Sequence, residues 1–224
     1  MNTRNDLVIL LDVDNTLLDN DRFAADLGAR LEQGFGADGR DRYWALYTEL
    51  RDQFGYADYL AALQAFGGSV EDHPDLLRMS EFLLEYPFVE RLYPRALETV
   101  SHLRRFGLPV VLSDGDIVYQ PRKVQRSGIW DAVEGRVLIQ LHKQRVLDVV
   151  RQRFPAAHYL MVDDKPQILA AMKQILGVKL TTIFVRQGHY AIDSENLKVN
   201  PAPDLSIERI SDLIDIDRSH FVAP

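Results

Sequence analysis

The stretch Leu7–Asp19, LVILLDVDNTLLD, runs five apolar residues straight into Asp12-Val13-Asp14-Asn15-Thr16. A continuous leucine and β-branched run of that length predicts a strand buried on both faces, as in a parallel sheet. In open parallel α/β sheets ligands bind beyond the carboxyl ends of the strands, and Asp12 and Asp14 fall there. Two apart on extended backbone, they point to the same side. Two acids held together repel unless a cation or a shared proton relieves them. The alternative is an Asp/Asn-rich turn after a strand, with Asp14 or Asn15 capping a helix. The chemistry at the other strand ends decides between the two.

Downstream, residues 20 to about 90 carry a helical pattern. Phe23, Leu27 and Leu31 recur at a spacing of four, as on one helix face. Gly34 and Gly36 break that helix, and a second is expected from Asp38 to Phe54, stopped by Gly55. Shorter helices are expected at 57–66 and 74–85, the latter with Pro74 at its first turn and Pro87 as its stop. Aromatic residues at helical spacing here, Tyr43, Trp44, Tyr47 and Tyr59 among them, read first as core. Their arginines read as solvated, or as an anion-facing surface.

From Tyr93 the pattern alternates. Helix 94–106 leads to strand 108–112, which ends in Ser113-Asp114-Gly115-Asp116. A helix to about 126 leads to strand 136–140 and then His142-Lys143 at the start of helix 143–153. Strand 158–162 ends in Asp163-Asp164-Lys165-Pro166, followed by helix 166–176, strand 180–185, a loop over 187–203 and a last helix at 206–215. Five apolar runs separated by helices predict an α/β fold, a Rossmann-like doubly wound parallel sheet. Four of them end near a useful group: Asp12/Asp14, Ser113, Lys143 and Asp163/Asp164. Parallel strands bring those ends to one edge, which favours a site over a turn.

Composition sets outer bounds. The chain has 224 residues, 46% hydrophobic, with a net charge of −7 and a pI of about 5.4. That balance argues against nucleic acid or an anionic membrane as partner. With no cysteine, disulfides, zinc thiolates and thiol catalysis are excluded. No apolar run nears the roughly 18 residues of a membrane span, and the first residues lack a signal-peptide pattern. A cytoplasmic protein is the expectation.

Clustered carboxylates without histidine or cysteine suit a hard cation, Mg²⁺ above all, which prefers one or two carboxylates plus phosphate oxygens. Ser113 and Lys143 supply donors for an anion. A carboxylate nucleophile can form an aspartyl-phosphate, and phosphoryl transfer asks a protein mainly for positioning and charge neutralisation.

With those motifs in place, the chain resembles the haloacid dehalogenase superfamily, in its phosphatase branch. DVDNT matches the first motif, LSD at 112–114 the second, Lys143 at a helix start the third, and MVDD at 161–164 the fourth. The resemblance implies Asp12 as nucleophile and Asp14 as general acid–base. It implies phosphate binding by Ser113, Asp114, Lys143 and Thr16, and Mg²⁺ held by Asp12, Asp14 (through its backbone carbonyl), Asp163 and Asp164. It further implies that the Asp12 strand lies between those bearing Ser113 and Asp163. Residues 1–19 and 89–224 would form the core and 20–88 a helical C1-type cap. The substrate would be a small phosphorylated metabolite. The chain departs from the family pattern at Gln144, where proline usually follows the lysine, and at Arg95, where glycine is common. Lys123, mid-helix between Pro121 and Gly128, and Lys165, beside the acids, compete for the third-motif role. A metal-independent dehalogenase, a phosphotransferase or mutase, and a receiver-type signalling module are the alternatives. Asp14 speaks against the first, and the 20–88 insertion against the last.

Overall fold

The structure, a computed structural model, describes residues 5–70, 73–140, 147–192 and 198–221. Its core is a six-stranded, all-parallel sheet in the order β3-β2-β1-β4-β5-β6. The strands are β1 (Asn5–Leu11), β2 (Leu108–Asp114), β3 (Val137–Gln140), β4 (Ala156–Asp163), β5 (Leu180–Val185) and β6 (Leu205–Ile207). The expected doubly wound α/β fold is therefore observed, and β1 lies between the strands that carry Ser113 and Asp163. The sixth strand corrects the sequence reading. Residues 205–207 pair with β5, so the expected helix at 206–215 is a short strand followed by a 3₁₀ turn, Ile210–Ile214.

The opening run is a central strand because both its faces are buried. Leu7, Ile9 and Leu11 join one apolar cluster, and Val8 and Leu10 the other. That split is the two-residue period of a strand applied to a continuous apolar run. The first face is covered by α4 (Ala96–Leu103), α5 (Tyr119–Arg126) and the Ile210–Ile214 turn, and the second by α7 (Leu147–Arg153) and α8 (Pro166–Leu176). The short α6 (Ile129–Ala132) packs by α5. Among the described residues no helix is long and apolar enough to cross a membrane.

Between β1 and β2 the chain forms α1 (Asn20–Phe54), α2 (Tyr59–Gly67), α3 (Pro74–Glu85) and a 3₁₀ turn at Phe88–Arg91. α1 is two helical stretches that meet at Gly36, whose φ of 71° and ψ of 177° are not helical, so the expected break between two helices falls there. The two connections to the sheet run side by side. Asp19 N–H donates to the Arg91 carbonyl (2.7 Å), and Tyr93 N–H to the Leu17 carbonyl (3.0 Å). The apolar core is continuous from the sheet into this segment, through Phe23, Leu27, Tyr59 and Leu83.

Candidate active site

β1 stops at Leu11 because the chain turns over Val13, whose carbonyl accepts from the N–H groups of Thr16, Leu17 and Leu18. Asn15 holds the left-handed conformation (φ 59°) that asparagine tolerates better than most residues. Its side-chain oxygen accepts from the N–H groups of Asn20 and Asp21, so the turn opens directly into α1. Parallel register then sets the site. Leu11 pairs with Val162, so Asp12, one residue on, falls level with Asp163 at the end of β4.

Asp12, Asp163 and Asp164 are all buried and offer carboxylate oxygens within 4.8 Å of one another. Thr16 Oγ1 donates to Asp12 Oδ2 at 3.0 Å, and Lys165 N–H to Asp163 Oδ1 at 2.9 Å. Three acids packed this closely suit a cation, and an all-oxygen donor set suits Mg²⁺. The residues therefore fit a hard divalent ion.

Asp14 lies outside that cluster. Its two carboxylate oxygens accept from Lys123 Nζ at 2.8 and 3.0 Å, and Oδ2 also accepts from Gln120 Nε2 at 3.1 Å. The same Gln120 amide donates to Ser113 Oγ at 3.0 Å. Asp12 and Asp14 thus answer to different neighbours, Thr16 and the acid pair for the first, Lys123 and Gln120 for the second. Asp116 caps the start of α5, accepting from the N–H groups of Val118 and Tyr119. Burial raises its pKa, partly offset by those two bonds.

Above these groups lies a cavity of about 250 Å³. Asp14, Asn15, Asp114, Asp164, Lys165, His189 and Tyr190 line it from the sheet side, and Asn20, Tyr47, Arg51, Tyr56 and Tyr59 from the helical segment. Tyr47 and Tyr59 stack at 4.9 Å, and Lys165 Nζ lies 5.1 Å over the Tyr190 ring. Burial raises the Tyr59 pKa well above its usual value and also raises that of Tyr47, so both are neutral phenols at neutral pH. The helical aromatics thus divide: Tyr43 is core, Tyr47 and Tyr56 face the cavity, and Tyr59 does both. Arg51 faces it too, whereas Arg40 pairs with Glu32 and Asp41.

Of the residues singled out in the sequence, Asp12, Asp14, Thr16, Ser113, Asp114, Asp163 and Asp164 gather at this sheet edge. Lys143 and Gln144 lie outside the described residues. Gln120, Asn20, Gln187 and His189 were not anticipated. Gln187 Nε2 donates to the Thr16 carbonyl (3.0 Å), and its Oε1 accepts from Ile210 N–H (2.7 Å). His189 Nδ1 and N–H both reach the Asp21 carboxylate, at 2.7 and 2.8 Å. A signal for Gln120 did exist. It stands three residues before Lys123, on the same helix face, just after the Ser113-Asp114 strand end.

The family profile of the haloacid dehalogenase-like hydrolases matches residues 7–175. The chain belongs to that family and is a hydrolase. A haloacid dehalogenase-like hydrolase from Burkholderia xenovorans LB400 is 53% identical, over 95% of this chain and 99% of that one, with a TM-score of 0.89. The HAD-hydrolase YfnB from Bacillus subtilis, solved with magnesium bound, is 18% identical over 95% of this chain and 98% of that one (TM-score 0.62). The L-2-haloacid dehalogenase from Xanthobacter autotrophicus is 19% identical over 93% and 96% (TM-score 0.56). These last two share the fold. No curated protein sequence matches the chain.

Proposed function

We propose that the chain is a Mg²⁺-dependent phosphatase of small phosphomonoesters, in the phosphatase branch of its family. The observation that carries this reading is the buried triad Asp12, Asp163 and Asp164, with oxygens within 4.8 Å of one another. A dehalogenase has no need to gather three carboxylates around a cation. Asp12, Asp163, Asp164 and the backbone carbonyl of Asp14 would hold Mg²⁺, which when bound neutralises charge on the phosphoryl oxygens. An Asp12 carboxylate oxygen attacks phosphorus, the bond to the leaving oxygen breaks, and Asp14 gives that oxygen its proton. Asp14, now a carboxylate, takes a proton from water. The water oxygen attacks phosphorus and the bond to Asp12 breaks, releasing phosphate. Ser113 offers a hydroxyl to the phosphoryl group, and Lys143 or Lys165 its ammonium.

Residues 20–88 act in this reading as a C1-type cap that moves against the core formed by 1–19 and 89–224 and excludes water during the reaction. The small cavity with its tyrosine wall suits a small phosphorylated metabolite, with neither nucleic acid nor membrane as partner, in the cytoplasm. The test is release of p-nitrophenol from p-nitrophenyl phosphate with Mg²⁺, before and after exhaustive chelation. Activity that chelation abolishes and Mg²⁺ restores is expected, and Asp163→Ala should weaken Mg²⁺ binding in calorimetry. Metal-independent halide release from a 2-haloacid, with no phosphatase activity, would overturn the reading in favour of the dehalogenase.

A further inference from the structure

We propose that Lys123 is a positioning residue for Asp14, and that it makes the aim of that carboxylate depend on the seating of the helical segment. The part Asp14 plays in the reaction is taken from the phosphatase reading above, while its setting is geometric. The Lys123 side chain is 0% exposed. Its ammonium has three protons and three acceptors: Asp14 Oδ1 at 2.8 Å, Asp14 Oδ2 at 3.0 Å and Asn20 Oδ1 at 2.9 Å. The rings of Phe23, Tyr59 and Phe88 enclose it, with centroids 5.6, 5.6 and 5.7 Å away. Rings at this distance attract the cation through their faces and shut out water.

An ammonium so fixed fixes its partner. Both Asp14 oxygens are engaged by Lys123, and Gln120 adds a third bond that ties Asp14 to Ser113. The carboxylate cannot swing toward Asp12, Asp163 and Asp164 without breaking these bonds. It is kept as a separate group on the cavity wall.

The dependence on the helical segment follows from where the remaining partners originate. Asn20 is the first residue of α1, and its Nδ2 donates to the Tyr59 hydroxyl at 3.2 Å. Phe23 and Tyr59 belong to the same segment. Shifting that segment away takes one of the three acceptors and all three rings with it, Phe88 being the segment's last residue. Lys123 is then uncovered and Asp14 is no longer held, so the acid–base group is aimed only when the segment is seated.

Lys123→Met and Asn20→Ala test this, with kinetics on phenyl phosphate and p-nitrophenyl phosphate in saturating Mg²⁺ and with crystal structures of both variants. Methionine suits the ring-lined space, so Lys123→Met should fold. Its kcat for phenyl phosphate, whose leaving oxygen needs a proton, should fall by about 10- to 100-fold. The fall for p-nitrophenyl phosphate, which barely needs one, should be several-fold smaller, with both KM values within about twofold of the parent. Asn20→Ala should show the same bias more weakly. In the Lys123→Met crystal structure the Asp14 side chain should leave Gln120. Equal losses on both esters, a raised KM alone, or an Asp14 that keeps its place would overturn the proposal. A parent protein that hydrolyses neither ester would instead defeat the phosphatase reading, and the crystal structure of Lys123→Met would then decide the positioning role by itself.

Discussion

At the residue scale, Asp12 and Asp14 stand two positions apart yet answer to different partners, so their substitutions should differ in kind. In the proposed phosphatase reaction, Asp12→Asn replaces the nucleophile with a poor one and weakens the acid triad, and turnover should vanish. In the same proposed reaction, Asp14→Asn keeps the nucleophile but removes the group proposed as proton donor and water activator, worth roughly 100- to 10,000-fold. With an activated aryl phosphate it should release a burst of phenol and trap phosphate on Asp12, visible by quench-flow and intact mass. It also leaves the Lys123 ammonium buried without its counter-charge. Breaking a buried pair costs about 3–5 kcal/mol, less here because the Asp14 side chain is 26% exposed, so the melting temperature should also drop by several degrees. An Asp14→Asn protein that turns over normally would reduce Asp14 to a turn residue. Gly188 is a second position where a single atom matters. At φ 70°, an added Cβ would sit 2.5 Å from Asn15 Cγ. Gly188→Ala should therefore displace the Asn15 turn and lower both activity and melting temperature. Arg95 shows the reverse case. It holds φ 63° at the start of α4, a conformation that costs a side chain about 1–2 kcal/mol. Glycine would hold that conformation without the cost.

At the element scale, α5 is the link between sheet and helical segment. The last carbonyls of a helix lack partners within it, and α5 supplies them for the end of α3. Tyr119 hydroxyl donates to the Leu83 carbonyl (3.2 Å), Arg122 Nε to Leu84 (2.6 Å), and Arg126 to Glu85 (2.6 Å) and Tyr86 (3.1 Å). Guanidinium groups at a helix C-terminus also complement its dipole. Charge-assisted bonds of this kind are worth about 1.5–3 kcal/mol. Arg126→Ala should lower the melting temperature by about 3–12 °C at this chain length, as calorimetry would show, while an unchanged melting temperature would mean water replaces the guanidinium at no cost. The face of α5 that carries Gln120 and Lys123 meanwhile reaches the site, so one short helix both grips the segment and holds Asp14.

At the scale of the whole molecule, acid stability should be set in part by two groups on the β4–β5 side of the sheet. His158 is buried in β4, with Nε2 2.9 Å from Thr181 Oγ1. Burial above all, and then Lys173, lowers its pKa, against a smaller opposing pull from Asp204. A histidine whose folded pKa lies below the unfolded value of about 6.5 binds protons more readily when unfolded. Its contribution is complete above that value and is lost as pH falls below it. The melting temperature should therefore decline between about pH 7.5 and 5.5, and His158→Gln should flatten that part of the curve; an equally steep decline in the variant would clear His158 of the effect. Burial of Asp204 disfavours its charge, but Lys173 and Thr182 outweigh burial and lower its pKa. That contribution is present above the unfolded value of about 3.9 and is lost as pH falls below it.

The parallel sheet, the central place of the LVILL strand and the gathering of Asp12, Ser113 and Asp163 at one edge were legible in the sequence. The parallel sheet and the shared edge follow from local periodicity and from the alternation of strands with helices, both written in consecutive residues, whereas the central place of the LVILL strand was what the family resemblance implied. β6 was not legible, since Leu205–Ile207 is too short to show a period and becomes a strand only by pairing with β5. Nor was the role of Lys123. Lys123 competed in the sequence for the third-motif role, but nothing near it announces three aromatic rings from distant segments or a carboxylate 109 positions away. Burial of a charge is a property of what packs around it, and only the tertiary structure decides that.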